Sequence, residues 1–422
     1  MFGTLTRSLL PIASLTLANV APTFAGGAAK STAAIDQVLR DAVAEKQVPG
    51  IVVMVWAGDR VVYEGAAGKR DTLKNVLMTT DSIFRIASMT KPVTSVAVMQ
   101  LVESGKVKLD EPAATYLPEL SRIKVLEEFD PVTGKAKLRP PKTPPTIRQL
   151  LTHTSGFVYD FFDAKMYAYA ATGAVSSFAD GSDGFMKAPL MFDPGSRWEY
   201  GISVNWLGRL VERISGQSLE DYFQRYIFQP LGMSDTFFNV PADKQTRVAA
   251  IHQRREDGSF VEPPPRPFAP VRFYSGGGGL YSTASDYLNF ERMLLGGGQL
   301  GQVRILRPET VAEMTRNQIG DRTLVELRGT MPQLVSNPSR IPSSLDKFGF
   351  GFGINTMPVE GGRARGSLAW AGLNNTYFWI DPSRKICAVV LMQYLPFSDD
   401  VALGVVDRLE RAVYATFAKG LR

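Results

Sequence analysis

Between residues 33 and 46 apolar side chains recur every three or four positions (Ile35, Val38, Leu39, Ala42, Val43), which predicts a helix. Pro49-Gly50 interrupts that period and opens the run Ile51-Val52-Val53-Met54-Val55-Trp56. Gly58-Asp59 then separates this run from Arg60-Val61-Val62-Tyr63-Glu64, and two β-branched runs across so short a turn predict a hairpin. Near the other terminus, residues 348–357, 376–380 and 386–392 predict three more strands, and 402–418 predicts a closing amphipathic helix. The middle of the chain predicts helices over 84–101, 147–151, 203–214 and 219–231, with proline-rich loops at 140–145 and 263–270. Strands close to both termini complete one sheet only if the middle is inserted between them. The expected class is therefore α/β: an antiparallel sheet flanked by terminal helices, with an inserted mainly helical domain. The expected boundaries are 26–90 plus 275–422 for the sheet domain and 91–274 for the helical one, with a catalytic cleft between them.

Composition narrows the chemistry. At 422 residues, 45% hydrophobic and 21% charged, the chain matches an ordinary globular protein rather than a disordered or fibrous one. The net charge of +6 comes from scattered basic residues, and a nucleic-acid binder would gather them into a stripe, so no nucleic-acid partner is expected. The single cysteine, Cys387, excludes an intrachain disulfide and lies in the apolar run Ile386-Cys387-Ala388-Val389-Val390-Leu391, as a buried structural thiol does. Only two histidines, His153 and His252, are present, about a hundred residues apart. That leaves little material for a zinc site and pushes nucleophilic chemistry toward a base other than histidine. No metal and no cofactor are expected.

Residues 1–25 read as an export signal, with Arg7 as the positive region, a mostly apolar stretch from Ser8 to Ala21, and small residues in Thr23-Phe24-Ala25. Pro11, Pro22 and the short span argue against a membrane anchor. A periplasmic or secreted protein without stable membrane insertion is the expectation.

Candidate chemistry begins at Ser88-Met89-Thr90-Lys91. On a helix, positions i and i+3 share a face, so the lysine amine approaches the serine hydroxyl. A serine needs an adjacent base to become a nucleophile, and an amine serves as one only when its pKa is lowered. The same spacing recurs at Ser121–Lys124 and Ser344–Lys347, but only Ser88 is followed by a helix with an apolar face (Val93, Val96, Ala97, Leu101).

Ile86-Ala87-Ser88-Met89-Thr90-Lys91-Pro92 resembles the nucleophile box of the serine β-lactamase-like hydrolases, a superfamily of class C β-lactamases, penicillin-binding proteins, D-aminopeptidases and esterases. Further boxes follow in the family's order: Leu150-Leu151-Thr152-His153-Thr154-Ser155-Gly156, Trp198-Glu199-Tyr200-Gly201-Ile202, the glycine-rich Tyr274 to Asp286, and Trp370-Ala371-Gly372. The resemblance implies Ser88 as the acylated nucleophile, with Lys91 and Tyr200 as base and acid. It implies the backbone N–H groups of Ser88 and Leu373 as an oxyanion hole, and Trp370 and Gly372 as substrate-binding. In the family the His153 signature shapes the fold. Two departures point to its esterase branch: Ile202 stands where lactamases carry an amide, and Trp370 where they carry a lysine that attracts a carboxylate. The expected substrate is a small-molecule ester or amide, hydrolysed or passed to an alcohol, with β-lactamase or D-amino-acid peptidase activity as the alternative. Phe157, Tyr159, Phe161, Phe162 and Trp206 are candidates for an aromatic acyl pocket, about half of them expected in the core.

Overall fold

The computed structural model describes residues 31–178, 182–264, 268–271, 273–339 and 345–418. The proposed export signal and Ser344 lie outside the described residues. The described residues from Thr32 onward pack as one compact unit.

The centre is an eight-stranded antiparallel sheet. Its strands, numbered along the chain, are β1 (Gly50–Ala57), β2 (Arg60–Asp71), β3 (Val76–Leu77), β4 (Leu345–Phe348), β5 (Gly353–Asn355), β6 (Leu368–Gly372), β7 (Thr376–Asp381) and β8 (Ile386–Leu391). They lie in the order β4-β5-β6-β7-β8-β1-β2-β3, so the two chain ends meet where β1 pairs with β8. Both strands are buried almost throughout, and therefore read as continuous apolar runs rather than alternating ones. Terminal helices Ala33–Ala44 and Asp400–Phe417 pack together, and Tyr414 of the second donates to Asp381 at the end of β7. The opposite face takes helix Ala284–Leu295, whose Tyr287 ring meets Phe378 of β7 at a tilt, with centres 5.3 Å apart. Alternation along β6 and β7 thus sends Trp370 and Phe378 to one face, and Tyr377 and Trp379 to the other.

Several elements differ from the sequence expectation. The helix expected from residue 84 starts at Thr90, because Phe84–Arg85 pairs as a strand with Tyr281–Ser282 and a tight turn, Ala87–Met89, intervenes. The strand expected over 348–357 is two, β4 and β5, because the backbone folds back between them, with Gly351 at φ +103°. Helix Thr90–Glu103 is not amphipathic: all but its last turn is buried on every side, which makes it a core helix rather than a surface one. Helices Ala164–Ala171, Ala284–Leu295 and Pro308–Thr315 were not among the expected elements.

Candidate active site

Ser88 sits in the turn between a short strand and the buried helix. Ala87 takes φ +44°, a left-handed conformation costing a non-glycine residue about 1–3 kcal/mol, which persists only where surroundings enforce it. They do so from three sides. Ile86 N–H donates to Leu280 O (3.0 Å), Thr376 Oγ1 donates to Ile86 O (3.3 Å), and Tyr287 OH donates to Met89 O (2.8 Å). Gly372, the last residue of β6, lies directly behind this turn, where a Cβ would collide with Ile86 O and Thr376 Oγ1. Gly372→Ala is expected to displace the Ser88 turn, costing about 1–3 kcal/mol in stability and most of the activity. Thermal unfolding and an ester assay on the same preparation check it, and a fully active variant would refute the constraint.

Lys91 is wholly buried one helical turn on. Its Nζ lies 3.0 Å from Ser88 Oγ, 3.1 Å from Tyr159 OH and 2.7 Å from Gly277 O. Burial holds the amine well below its ordinary value, and no carboxylate contributes to keeping it charged. A neutral amine has two N–H groups and one lone pair. Gly277 O can only accept, so it takes one N–H; with the phenol oxygen of Tyr159 accepting the other, the lone pair faces the Ser88 hydroxyl. This is the arrangement a general base requires.

Tyr200 completes the group. It lies just before helix Ser203–Ser215, with its ring centre 4.6 Å from Lys91 Nζ. Burial raises the phenol well above its ordinary value, opposed by hydrogen bonding to the Ser88 and Trp370 side chains. Trp370 Nε1 donates to Tyr200 OH (3.2 Å), and because indole can only donate, the phenol proton is left free to point elsewhere. His153 stands behind Tyr200 with ring centres 4.7 Å apart, and its Nδ1 accepts from Gly201 N–H at 3.3 Å. Burial and the nearby Lys91 push its imidazole well below its ordinary value. Its left-handed φ of +57°, and the bond from Glu199 N–H to its carbonyl, hold the Trp198-Glu199-Tyr200 segment in place.

The sequence-derived residues separate clearly in space. Ser88, Tyr200, Trp370 and Leu373 line one cavity, and Lys91 lies just beneath its floor. Of the five aromatic candidates, Tyr159, Phe161 and Phe162 line it too, while Phe157 and Trp206 stack on each other within the core. The second tetrad is a surface feature: Ser121 donates to Pro118 O at 2.7 Å, and both Ser121 and Lys124 are exposed. Lys347 of the third donates instead to Gly320 O and Arg322 O. The sequence reading missed Tyr159 as a partner of Lys91, and missed Phe178, Phe185 and Phe273, which extend the aromatic wall. Tyr159 follows the Leu150–Gly156 signature by three residues, and that closeness was its only signal. Asp71, Lys74, Arg85 and Glu262 also line the cavity. Among the described residues no three His, Cys, Asp or Glu side chains are placed to hold a metal ion.

The Beta-lactamase family profile matches residues 35–411, nearly the whole described chain. The chain belongs to the Beta-lactamase family. Family membership accounts for the antiparallel sheet and the helices packed on it. Monacolin J acid methylbutanoyltransferase of Aspergillus terreus is 31% identical over 412 residues, covering 94% of this chain and 98% of that protein. Esterase EstB of Burkholderia gladioli is 30% identical over 438 residues, covering 95% of this chain and all of the esterase. The solved structure of unliganded simvastatin synthase (LovD) from Aspergillus terreus superposes with a TM-score of 0.79 at 32% identity, covering 92% of this chain and 99% of that one. Beta-lactamase family relatives at this level therefore include both acyltransferases and esterases.

Proposed function

We propose that this protein cleaves carboxylic esters of small to medium acyl groups through an acyl-enzyme on Ser88, and passes the acyl group to water or to an alcohol. The observation that carries this reading is the 3.0 Å approach of Ser88 Oγ to a fully buried lysine with no carboxylate partner among the described residues. Lys91 Nζ takes the Ser88 proton as Oγ attacks the ester carbonyl. The developing oxyanion meets the backbone N–H groups of Ser88 and Leu373, each worth a few kcal/mol in the transition state. Tyr200, its oxygen already accepting from Trp370, directs its own proton toward the leaving alkoxide and is restored by proton transfer from Lys91. Water or an alcohol then attacks the ester on Ser88 by the reverse sequence.

A second reading, that transfer to an alcohol dominates, draws on the cavity. The aromatic wall of Phe161, Phe162, Phe178 and Phe185 beside Ser88 offers an apolar surface for an acceptor next to the acyl group. The related methylbutanoyltransferase supports it, and the related esterase supports hydrolysis. Export across a membrane is part of the proposal and rests on residues 1–25 alone; among the described residues no helix is long and apolar enough to cross a membrane.

The test is a panel of p-nitrophenyl butyrate, nitrocefin and a D-alanyl peptide, with and without added alcohols. Ester turnover should exceed lactam and peptide turnover, and a new ester forming in alcohol would favour transfer. Faster nitrocefin hydrolysis would replace this reading with a β-lactamase.

The same site fixes a pH profile. Lys91 works unprotonated, so kcat/KM should fall toward acid as the amine gains its proton, with the midpoint far below the ordinary lysine value. Tyr200 is shifted upward and should add no alkaline limb below about pH 10. A profile that rises steadily to pH 10 would mean Lys91 is charged at neutrality.

A further inference from the structure

The shortest of the three Lys91 contacts, 2.7 Å, is to a backbone carbonyl, Gly277 O, on a segment that belongs to no helix or strand. That carbonyl serves a lone-pair direction only if its position is fixed, and two buried side chains from different helices hold the segment. Thr94, one turn beyond Lys91, donates from Oγ1 to Gly276 O at 2.7 Å. Asn205, on helix Ser203–Ser215, donates from Nδ2 to Ser275 Oγ at 2.8 Å. Both are fully buried. The approach is close enough to require glycine: a Cβ on Gly277 would collide with Asn205 Oδ1, and one on Gly276 would meet Val204 O at 3.0 Å and Gly208 Cα at 3.1 Å. Asn205 Oδ1 has no hydrogen-bond partner among the described residues. An orphaned buried amide oxygen is a cost to folding, and a core with no other demand on that position would carry an apolar side chain there.

We propose that Thr94 and Asn205 are positioning residues for the acylation step, clamping the Ser275–Gly277 turn so that Gly277 O binds one Lys91 N–H and turns the lone pair toward Ser88 Oγ. The inference rests on the proposed role of Lys91 as base. Among the described residues neither Thr94 nor Asn205 hydrogen-bonds Ser88 or the amine itself, so their effect passes through the carbonyl. Around the amine stand the Ser88 hydroxyl, Tyr159, Tyr200 and, behind them, His153, none of them a carboxylate. With the carbonyl free to move, a lone pair aimed at Ser88 becomes one orientation among several, and the loss appears in bond making rather than in substrate binding.

The test compares wild type with Thr94→Val, which keeps the shape and removes the donor, and with Thr94→Ser, which restores it. Ester hydrolysis is read alongside the rate at which a p-nitrophenyl phosphonate modifies Ser88, followed by intact mass. Thr94→Val should slow both kcat and phosphonate labelling about 10-fold, leave the binding constant of a non-reactive ester analogue within about 2-fold, and be rescued by Thr94→Ser. Should Thr94→Val not fold, Asn205→Ser, which leaves space instead of a clash, carries the same expectation. A folded variant that labels at the wild-type rate overturns the clamp, as does a loss that Thr94→Ser does not rescue. Ser88→Ala with unchanged ester turnover would instead refute the acyl-enzyme reading itself, so the two failures are distinct.

Discussion

Ser88→Ala is expected to lower ester turnover by at least about 10³-fold and to abolish phosphonate labelling. The size of the effect follows from what remains. Without the hydroxyl, Lys91 and Tyr200 have no nucleophile to serve, and only the cavity and the two backbone N–H groups persist, which alone give modest catalysis over water. The fold should be unaffected, because the turn is held by the backbone of Ile86 and Met89 rather than by the Ser88 side chain. Steady-state assay, intact mass and thermal unfolding of one preparation make the check. Turnover retained within 10-fold would remove Ser88 from the mechanism, and a phosphonate adduct mapping to Ser121 would transfer the role to another tetrad.

Lys91→Met should separate activity from stability. Loss of the base is expected to cost about 10²–10⁴ in kcat, while the variant becomes more stable than wild type at neutral pH. Burial lowers the folded-state pKa of Lys91 well below the roughly 10.4 of an unfolded chain. Between those values the unfolded chain binds a proton that the folded one does not, so wild-type stability declines as pH falls from the unfolded value toward the folded one. Methionine fills similar space without that penalty. Tm should therefore rise by ~2 °C or more at pH 7, with the gain shrinking as pH approaches about 10.4. An inactive variant that is also less stable would mean the three hydrogen bonds of Lys91 outweigh its desolvation. A variant with wild-type kcat would exclude Lys91 as the base.

The pairing of a destabilising buried amine with a strained turn at Ala87 has one physical sense. Both are states that a chain selected for stability alone would avoid, and both lie within one helical turn of the same hydroxyl. Their surroundings are correspondingly over-determined: Leu280, Thr376 and Tyr287 fix the turn, and Thr94 and Asn205 hold the segment whose Gly277 O meets the amine. Such rigidity lets the site hold its reacting geometry before substrate arrives.

By itself the sequence determined a good deal. The β-branched runs at both ends predicted strands because continuous apolar character is what a doubly covered sheet requires, and the pairing of β1 with β8 realises it. The Ser88–Lys91 spacing and the Tyr200 segment were legible because local contacts and short motifs depend on few residues. Tertiary structure decided what depends on surroundings. Residues 84–101 look helical throughout, yet Phe84–Arg85 pairs as a strand because Tyr281–Ser282, some two hundred residues away, satisfies its backbone. The proposed role of Lys91 as base is likewise not written in its neighbours along the chain. It draws on complete burial, the lack of a carboxylate partner among the described residues, and a carbonyl delivered from residue 277. Desolvation is a property of the packed volume around a group, and no local pattern encodes it.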